Sequence, residues 1–258
     1  MIRKPLIRAF AWLLAPLLTL LVACGPAAPV KTSAATAPAA APASLSACLD
    51  RSHFALLQVM PAPPAAGSAL ERRELDEMLQ VQATRTTAQV DRVRGDADID
   101  ILRFSDALGS AAPLDSTHLP LTIALFRAIT ADETQLVEPA KQQFARPRPY
   151  VTETRLQPVV PKPASASYPS GHSTWGTAVG FVLADMVPER HDQLVARAEE
   201  FGNNRIVGGV HYPSDVEAGR LAGAALATLL FSCPEFRTQE AAAATELRGS
   251  LGLPSRHQ

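Results

Sequence analysis

His211 and Asp215 stand four residues apart in Arg205-Ile-Val-Gly-Gly-Val-His-Tyr-Pro-Ser-Asp. At a helix start this spacing puts both on one face. A carboxylate there can accept the Nδ1–H of an imidazole and hold Nε2 toward a substrate. The same pair also fits a cap that only stabilises a helix. Gly208 and Gly209 before it allow close packing or close backbone approach. A second group is Tyr168-Pro-Ser-Gly-His-Ser173, which lies between a Pro-rich loop and an apolar run. Ser170 is a good N-cap residue, and Gly171 lets backbone approach a ligand. A helix starting there aims free N–H groups and a positive dipole end at an anion, with His172 in the first turn. The third group is Lys141-Gln-Gln-Phe-Ala-Arg-Pro-Arg148-Pro149. It fixes several cations at a helix end and a rigid loop, and arginine's planar fork can give a phosphate two hydrogen bonds at once. Taken singly, each group also reads as ordinary structure: a solvated basic patch, a helix cap, a loop histidine. The remaining histidines, His53, His118, His191 and His257, are scattered without metal-ligand spacing, so no metal site is expected.

The elements that must position these groups read as helices. Ser68 opens a Glu/Arg/Leu/Gln-rich segment to about Ala83, and Thr86-Thr87 caps a second through Val93. Residues 96–108 are ambiguous, with helix favoured. Leu119 to Ala131 is apolar and helical; Ala131-Asp132 is taken as a break, with Asp132 capping a further helix through Gln143. Five prolines between Pro147 and Pro163 mark a long irregular connection. Trp175–Val187, Glu189–Gly202, Pro213–Phe231 and Glu235–Leu251 follow as helices, with 175–187 and 213–231 expected at the centre. Alternating strand patterns and Asn-Gly hairpin signals are missing. The expectation is an all-α, single-domain helical bundle over residues 45–258.

Composition bounds the partners. The 258 residues carry a formal charge of −1, which gives no global reason to expect nucleic acid, so any anion site must be a local cluster. Residues 1–23 combine Arg3, Lys4 and Arg8 with a short apolar core and Leu21-Val-Ala before Cys24. This reads as a secretory signal, too short for a comfortable membrane span. The Cys after Leu-Val-Ala resembles a bacterial lipoprotein signal, so Cys24 is the expected lipidation site. The alternative is conventional cleavage that leaves a free Cys24. Residues 24–44, almost all Ala, Pro, Ser and Thr, read as a flexible tether. That places the domain in the periplasm, anchored by lipid to the outer membrane, with no other membrane contact. Cys48 and Cys233 are an even pair in an oxidising compartment, hence a candidate disulfide. Two unpaired buried thiols are the alternative.

Together the three chemical groups resemble, in order and internal spacing, the signature of the phosphatidic acid phosphatase type 2 superfamily. Its pattern is Lys-x6-Arg-Pro, then Pro-Ser-Gly-His, then Ser-Arg-x5-His-x3-Asp. Here these are Lys141 to Arg148-Pro149, Pro169 to His172, and Asn204-Arg205 through His211 to Asp215, with Asn204 where Ser is usual. Within it the chain most resembles the secreted bacterial class A non-specific acid phosphatases, over roughly residues 50 to 235. Residues 57–68 look like that class's Pro-rich lead-in. The resemblance implies the helical fold of the acid phosphatase and vanadium haloperoxidase type. It also implies a metal-independent, cofactor-free acid phosphatase acting on phosphomonoesters through a phosphohistidine, and a homodimer as a candidate assembly. By the same resemblance His211 is nucleophile, Asp215 orients it, and His172 is general acid and base, the two histidines resting in opposite protonation states. Lys141, Arg148, Ser170, Gly171 and Arg205 hold the phosphoryl oxygens, Ser170 through its hydroxyl and backbone. Arg146 is left a supporting role. The rival readings are a lipid or isoprenyl-pyrophosphate phosphatase, a vanadium-dependent haloperoxidase, and a helical envelope lipoprotein that only binds.

Overall fold

The computed structural model describes residues 60–110 and 114–255, which lie in the compact unit Ala39–Gln258. The segments read as signal and tether, and Cys24 and Cys48 with them, lie outside the described residues. Among the described residues all regular structure is helical.

Helix α1, Ala69–Thr84, starts where Ser68 Oγ accepts the Glu71 N–H at 3.2 Å, and α2, Thr87–Gly95, starts with a capping box between Thr86 and Gln89. Residues 96–108 form less regular helix than expected. They hold a turn, a 3₁₀ segment at Ile101–Phe104 and the single-turn helix α3, Ser105–Leu108, ended by Gly109 at φ 63°. Asp100 is the reason for the late start, because its carboxylate takes the Leu102 N–H and nucleates the 3₁₀ turn there.

The expected break at Ala131-Asp132 does not occur. Helix α4 runs unbroken over Pro120–Phe144, and Asp132 sits buried in its middle, capping nothing. Ile123, Phe126, Ile129, Leu136, Val137 and Ala140 make one buried stripe along it. Burying that stripe outweighs the modest helix propensity of one Asp and the presence of Pro139. The connection that follows is irregular apart from the single turn α5, Pro149–Thr152.

Helix α6, Gly171–Met186, begins at the Ser170 cap, four residues before the apolar run. Helix α7, His191–Val207, continues five residues past the expected end at Gly202. Gly202 is not a stop; a Cβ there would lie 2.9 Å from Ser173 Oγ, so the glycine lets α7 pack against α6. Helices α8, Pro213–Phe231, and α9, Pro234–Ser250, complete the chain order. No single helix among the described residues is long and apolar enough to cross a membrane.

Helix α6 is the centre, packed against α4, α7, α8 and α9. A Cβ on Gly219 of α8 would lie 2.5 Å from the Ser170 carbonyl oxygen, so α8 approaches α6 backbone to backbone at the cap. Trp175 of α6 packs on Phe104 and Phe201, with centroids 6.0 and 5.2 Å away, and its Nε1–H donates to Thr130 Oγ1 on α4 at 2.9 Å. These contacts fix the start of α6 relative to α4, α7 and α8, the four elements that carry the three sequence groups.

Candidate active site

The three groups meet at the start of α6. The Ser170 N–H donates to the Asp215 carbonyl at 2.9 Å, joining the second group to the third. Arg148 Nη1 donates to the Val210 carbonyl at 2.9 Å, joining the first to the third. Lys141 Nζ donates to the carbonyls of Ala166 and Pro169, both at 2.8 Å, joining the first to the second. Gly209, at φ 77°, makes the turn between α7 and His211. A Cβ there would also be strained against Pro158.

His211 is 2 % exposed. Its Nε2 lies 2.7 Å from Arg148 Nη1, and its Nδ1 lies 3.2 Å from Asp215 Oδ2. A guanidinium only donates, so Nε2 accepts and Nδ1 carries the hydrogen given to Asp215. Asp215 is surrounded by donors: Arg146 Nη1 at 2.6 Å, the Tyr212 N–H at 2.9 Å and the Ser167 hydroxyl. Burial pushes this carboxyl's pKa up, and Arg146, Ser167 and the Tyr212 N–H pull it down. His172, half-buried, stacks on Phe201 with centroids 5.7 Å apart and lies with Nε2 3.0 Å from the Ala97 carbonyl oxygen. A carbonyl only accepts, so Nε2 holds the hydrogen and Nδ1 is left for chemistry.

Both histidines are held neutral in the free site. Burial, then Arg205, with Arg148 and Lys141 behind it, lowers His172 to about 3. Burial, then Arg148, Lys141 and Arg205, sets His211 well below its ordinary value. Opposite resting protonation was expected; three converging cations push both histidines the same way instead. The cations feel one another. Burial and Arg148 lower Lys141 to about 8 and Arg205 to about 10.

The arginines differ in how much of the fork is free. Arg148 gives Nε to the Ser165 carbonyl and Nη2 to the Ser165 hydroxyl, at 2.9 and 3.2 Å, besides its bonds to Val210 and His211. Arg205 is 2 % exposed, and its Nε and Nη1 have no hydrogen-bond partner. Buried charged donors without an acceptor point to an anion that is meant to be there. The expected backbone donor of Ser170 is used up, because its N–H is taken by the Asp215 carbonyl. Its hydroxyl oxygen accepts the Ser173 N–H at 3.3 Å, which leaves the O–H itself to donate. The helix-start donors for a ligand are that hydroxyl and the N–H groups of Gly171 and His172, which have no intrahelical acceptor.

Glu74 and the Asp96 network are supporting groups that escaped the sequence reading. Glu74 on α1 accepts Arg146 Nη2 at 3.0 Å and the Ser214 N–H at 2.6 Å, so Glu74, Arg146, Asp215 and His211 form one buried chain. Nothing in local spacing linked α1 to this site. Asn204 donates to Asp96 Oδ2 at 2.7 Å, and Asp96 also takes Arg103 and Arg197 at 3.1 and 2.5 Å. That network pins the residue before Ala97, whose carbonyl orients His172. Cys233 is disulfide-bonded; its expected partner, Cys48, lies outside the described residues.

Comparison with known proteins agrees with this architecture. Residues 117–239 match the family model of the PAP2 superfamily. The chain is 30 % identical over 194 residues to the non-specific acid phosphatase of Providencia stuartii, covering 71 % of this chain and 77 % of that one. It is 29 % identical over 206 residues to the non-specific acid phosphatase of Salmonella typhimurium, covering 76 % and 82 %. Among solved structures, a bacterial vanadium-dependent iodoperoxidase superposes with a TM-score of 0.53 at 20 % identity, over 67 % of this chain and 52 % of that one. The last is a likeness of fold alone.

Proposed function

The chain belongs to the PAP2 superfamily, with the bacterial non-specific acid phosphatases, and from that premise we propose that it is an acid phosphatase that hydrolyses phosphate monoesters through a phosphohistidine at His211, without a metal. The observation that carries this reading is the His211–Asp215 pair facing three buried cations, one of them with unpartnered nitrogens. The phosphoryl group takes its place among Arg205, Arg148, Lys141 and the N–H groups of Gly171 and His172. Its oxygens draw Arg148 Nη1 from His211 Nε2, which frees that lone pair to attack phosphorus. The P–O ester bond breaks as the N–P bond forms, and the leaving oxygen takes a proton from His172. A water then attacks phosphorus, His172 takes its proton, the N–P bond breaks and phosphate leaves. Throughout, the fixed cations stabilise the charge that builds on the equatorial oxygens.

The proton for the leaving group comes with the substrate. His172 is neutral in the free site because of burial and the three cations. A phosphoryl group offsets those cations and raises the His172 pKa. Below about pH 6 a phosphomonoester still holds one proton itself. An acid-side optimum follows.

The test is hydrolysis of p-nitrophenyl phosphate scanned over pH, with EDTA and then with vanadate. Activity that peaks on the acid side, survives EDTA and is blocked by vanadate is the expected result, with rapid alkaline denaturation, under which the N–P bond persists, trapping phosphate on His211. Loss of activity in EDTA would end the metal-free reading. Halide oxidation by the vanadate-loaded protein, with no phosphatase activity, would replace it by a haloperoxidase.

A further inference from the structure

Glu133 is a buried acid beside the site to which the reaction above assigns no work. It is 4 % exposed, and its Oε1 has no hydrogen-bond partner. That oxygen lies 3.0 Å from where a Cβ on Gly171 would sit, so the carboxyl presses on the turn whose N–H groups open α6. On α4 it shares a face with Lys141, eight residues on. A buried carboxyl oxygen without a partner is unfavourable unless a proton or a ligand answers it. As an anion it would repel a phosphoryl group in a site shielded from water. As a neutral acid it is a hydrogen-bond donor.

We propose that Glu133 acts in its protonated form, donating a hydrogen bond to the phosphoryl group seated at the Gly171 turn, and is therefore a further substrate-binding residue that works only while it keeps its proton. This rests on the phosphate site proposed above. The surroundings favour the proton. Burial raises Glu133 to about 7, with Lys141 and the Thr134 hydroxyl opposing. Helix α6 presents Gly171 and the neutral His172. The nearby carboxylate of α8, Asp215, is engaged by Arg146 and Ser167. The acid that α9 presents to α4, Glu246, binds the N–H groups of Leu121 and Thr122, about three turns away.

The experiment is equilibrium binding of inorganic phosphate to the full chain, wild type against Glu133→Gln and Glu133→Leu, from pH 5 to 8. Gln donates but does not titrate; Leu does neither. The ratio of two affinities at one pH cancels the ionisation of phosphate itself. Glu133→Gln should bind like wild type at pH 5 and about tenfold more tightly than wild type at pH 8, while Glu133→Leu stays weaker than Glu133→Gln throughout. A Gln-to-wild-type ratio that stays flat with pH overturns the proposal, as does equal binding by the Gln and Leu variants. Should neither variant fold, the infrared carboxylic-acid band of the wild type at pH 5 must shift when phosphate is added; an unmoved band overturns the proposal. Failure of the wild type to bind phosphate at pH 5 overturns the phosphate site and this inference together, whereas binding with a flat ratio overturns only the part given to Glu133.

Discussion

Asp215 holds His211 Nδ1 and the Ala97 carbonyl holds His172 Nε2, so opposite nitrogens of the two rings serve the reaction, His211 Nε2 only once Arg148 Nη1 turns from it to the substrate. That division makes separable demands on variants. His211→Ala should abolish turnover, and the variant denatured in alkali, which preserves an N–P bond, should retain no phosphate label where the wild type does. His172→Ala should slow alkyl phosphates about 10²–10⁴-fold, the usual worth of a general acid, and slow p-nitrophenyl phosphate far less. Equal losses on both substrates would remove His172 from leaving-group protonation. Arg146 is tested differently, because it touches Asp215 and Glu74 rather than the phosphate position. Arg146→Ala should lower kcat with little change in the inhibition constant of phosphate, whereas Arg205→Ala should weaken phosphate inhibition itself. The His172 signals in ¹⁵N NMR should report a neutral ring at pH 5 in the free protein and a protonated ring once phosphate is bound, since burial and Arg205 hold its pKa near 3 only while the cations lack an anion.

Helices α6 and α8 carry the two histidine motifs, and what sets their distance is the absence of side chains. Gly219 meets the Ser170 carbonyl and Gly223 meets that of Thr174, one turn further along. Added methyls would push α8 away from the α6 cap and lengthen the bond from Ser170 N–H to the Asp215 carbonyl. Gly219→Ala should therefore lower the urea midpoint, by about 1–3 kcal/mol of stability as for other overpacked contacts. It should also lower kcat, because Asp215 moves with its backbone. Gly249, on the last helix with open space around it, is the control, and Gly249→Ala should leave kcat unchanged and raise the urea midpoint slightly.

The molecule as a whole places two acids, Asp132 and Glu133, inside α4 with one oxygen each unpartnered. Burial raises them to about 6 and about 7, so the folded chain keeps protons that the unfolded chain releases at lower pH. Their contribution to stability falls as pH rises through that window, from the ordinary carboxylate range to about 7. His172 and His211 work in the opposite direction below pH 6.5, since their folded pKa values are lowered and they give up their protons on folding. The contribution of the acid is isolated by comparison. Glu133→Gln should match the wild type in urea midpoint at pH 4 and exceed it by about 1–3 kcal/mol at pH 8. A difference that does not grow with pH would mean the buried carboxyl is not the protonated group.

The sequence by itself determined the helical class, the three motifs and most helix starts. Caps such as Ser68, Thr86 and Ser170, and the proline at the start of α8, act through bonds within a few residues. The four-residue spacing of His211 and Asp215 likewise sets a local geometry that the structure keeps. Tertiary contact decided what local chemistry leaves open. Helix α4 runs through Asp132 because a buried stripe continues past it, and α7 runs through Gly202 because Ser173 of another helix needs the room. The partners of Asp215 include Arg146, itself held by Glu74 from α1, and the acceptor for His172 is Ala97, 75 residues earlier in the chain. The neutrality of both histidines is of the same kind. It follows from burial and from three cations brought together by folding, and no single stretch of chain contains that field.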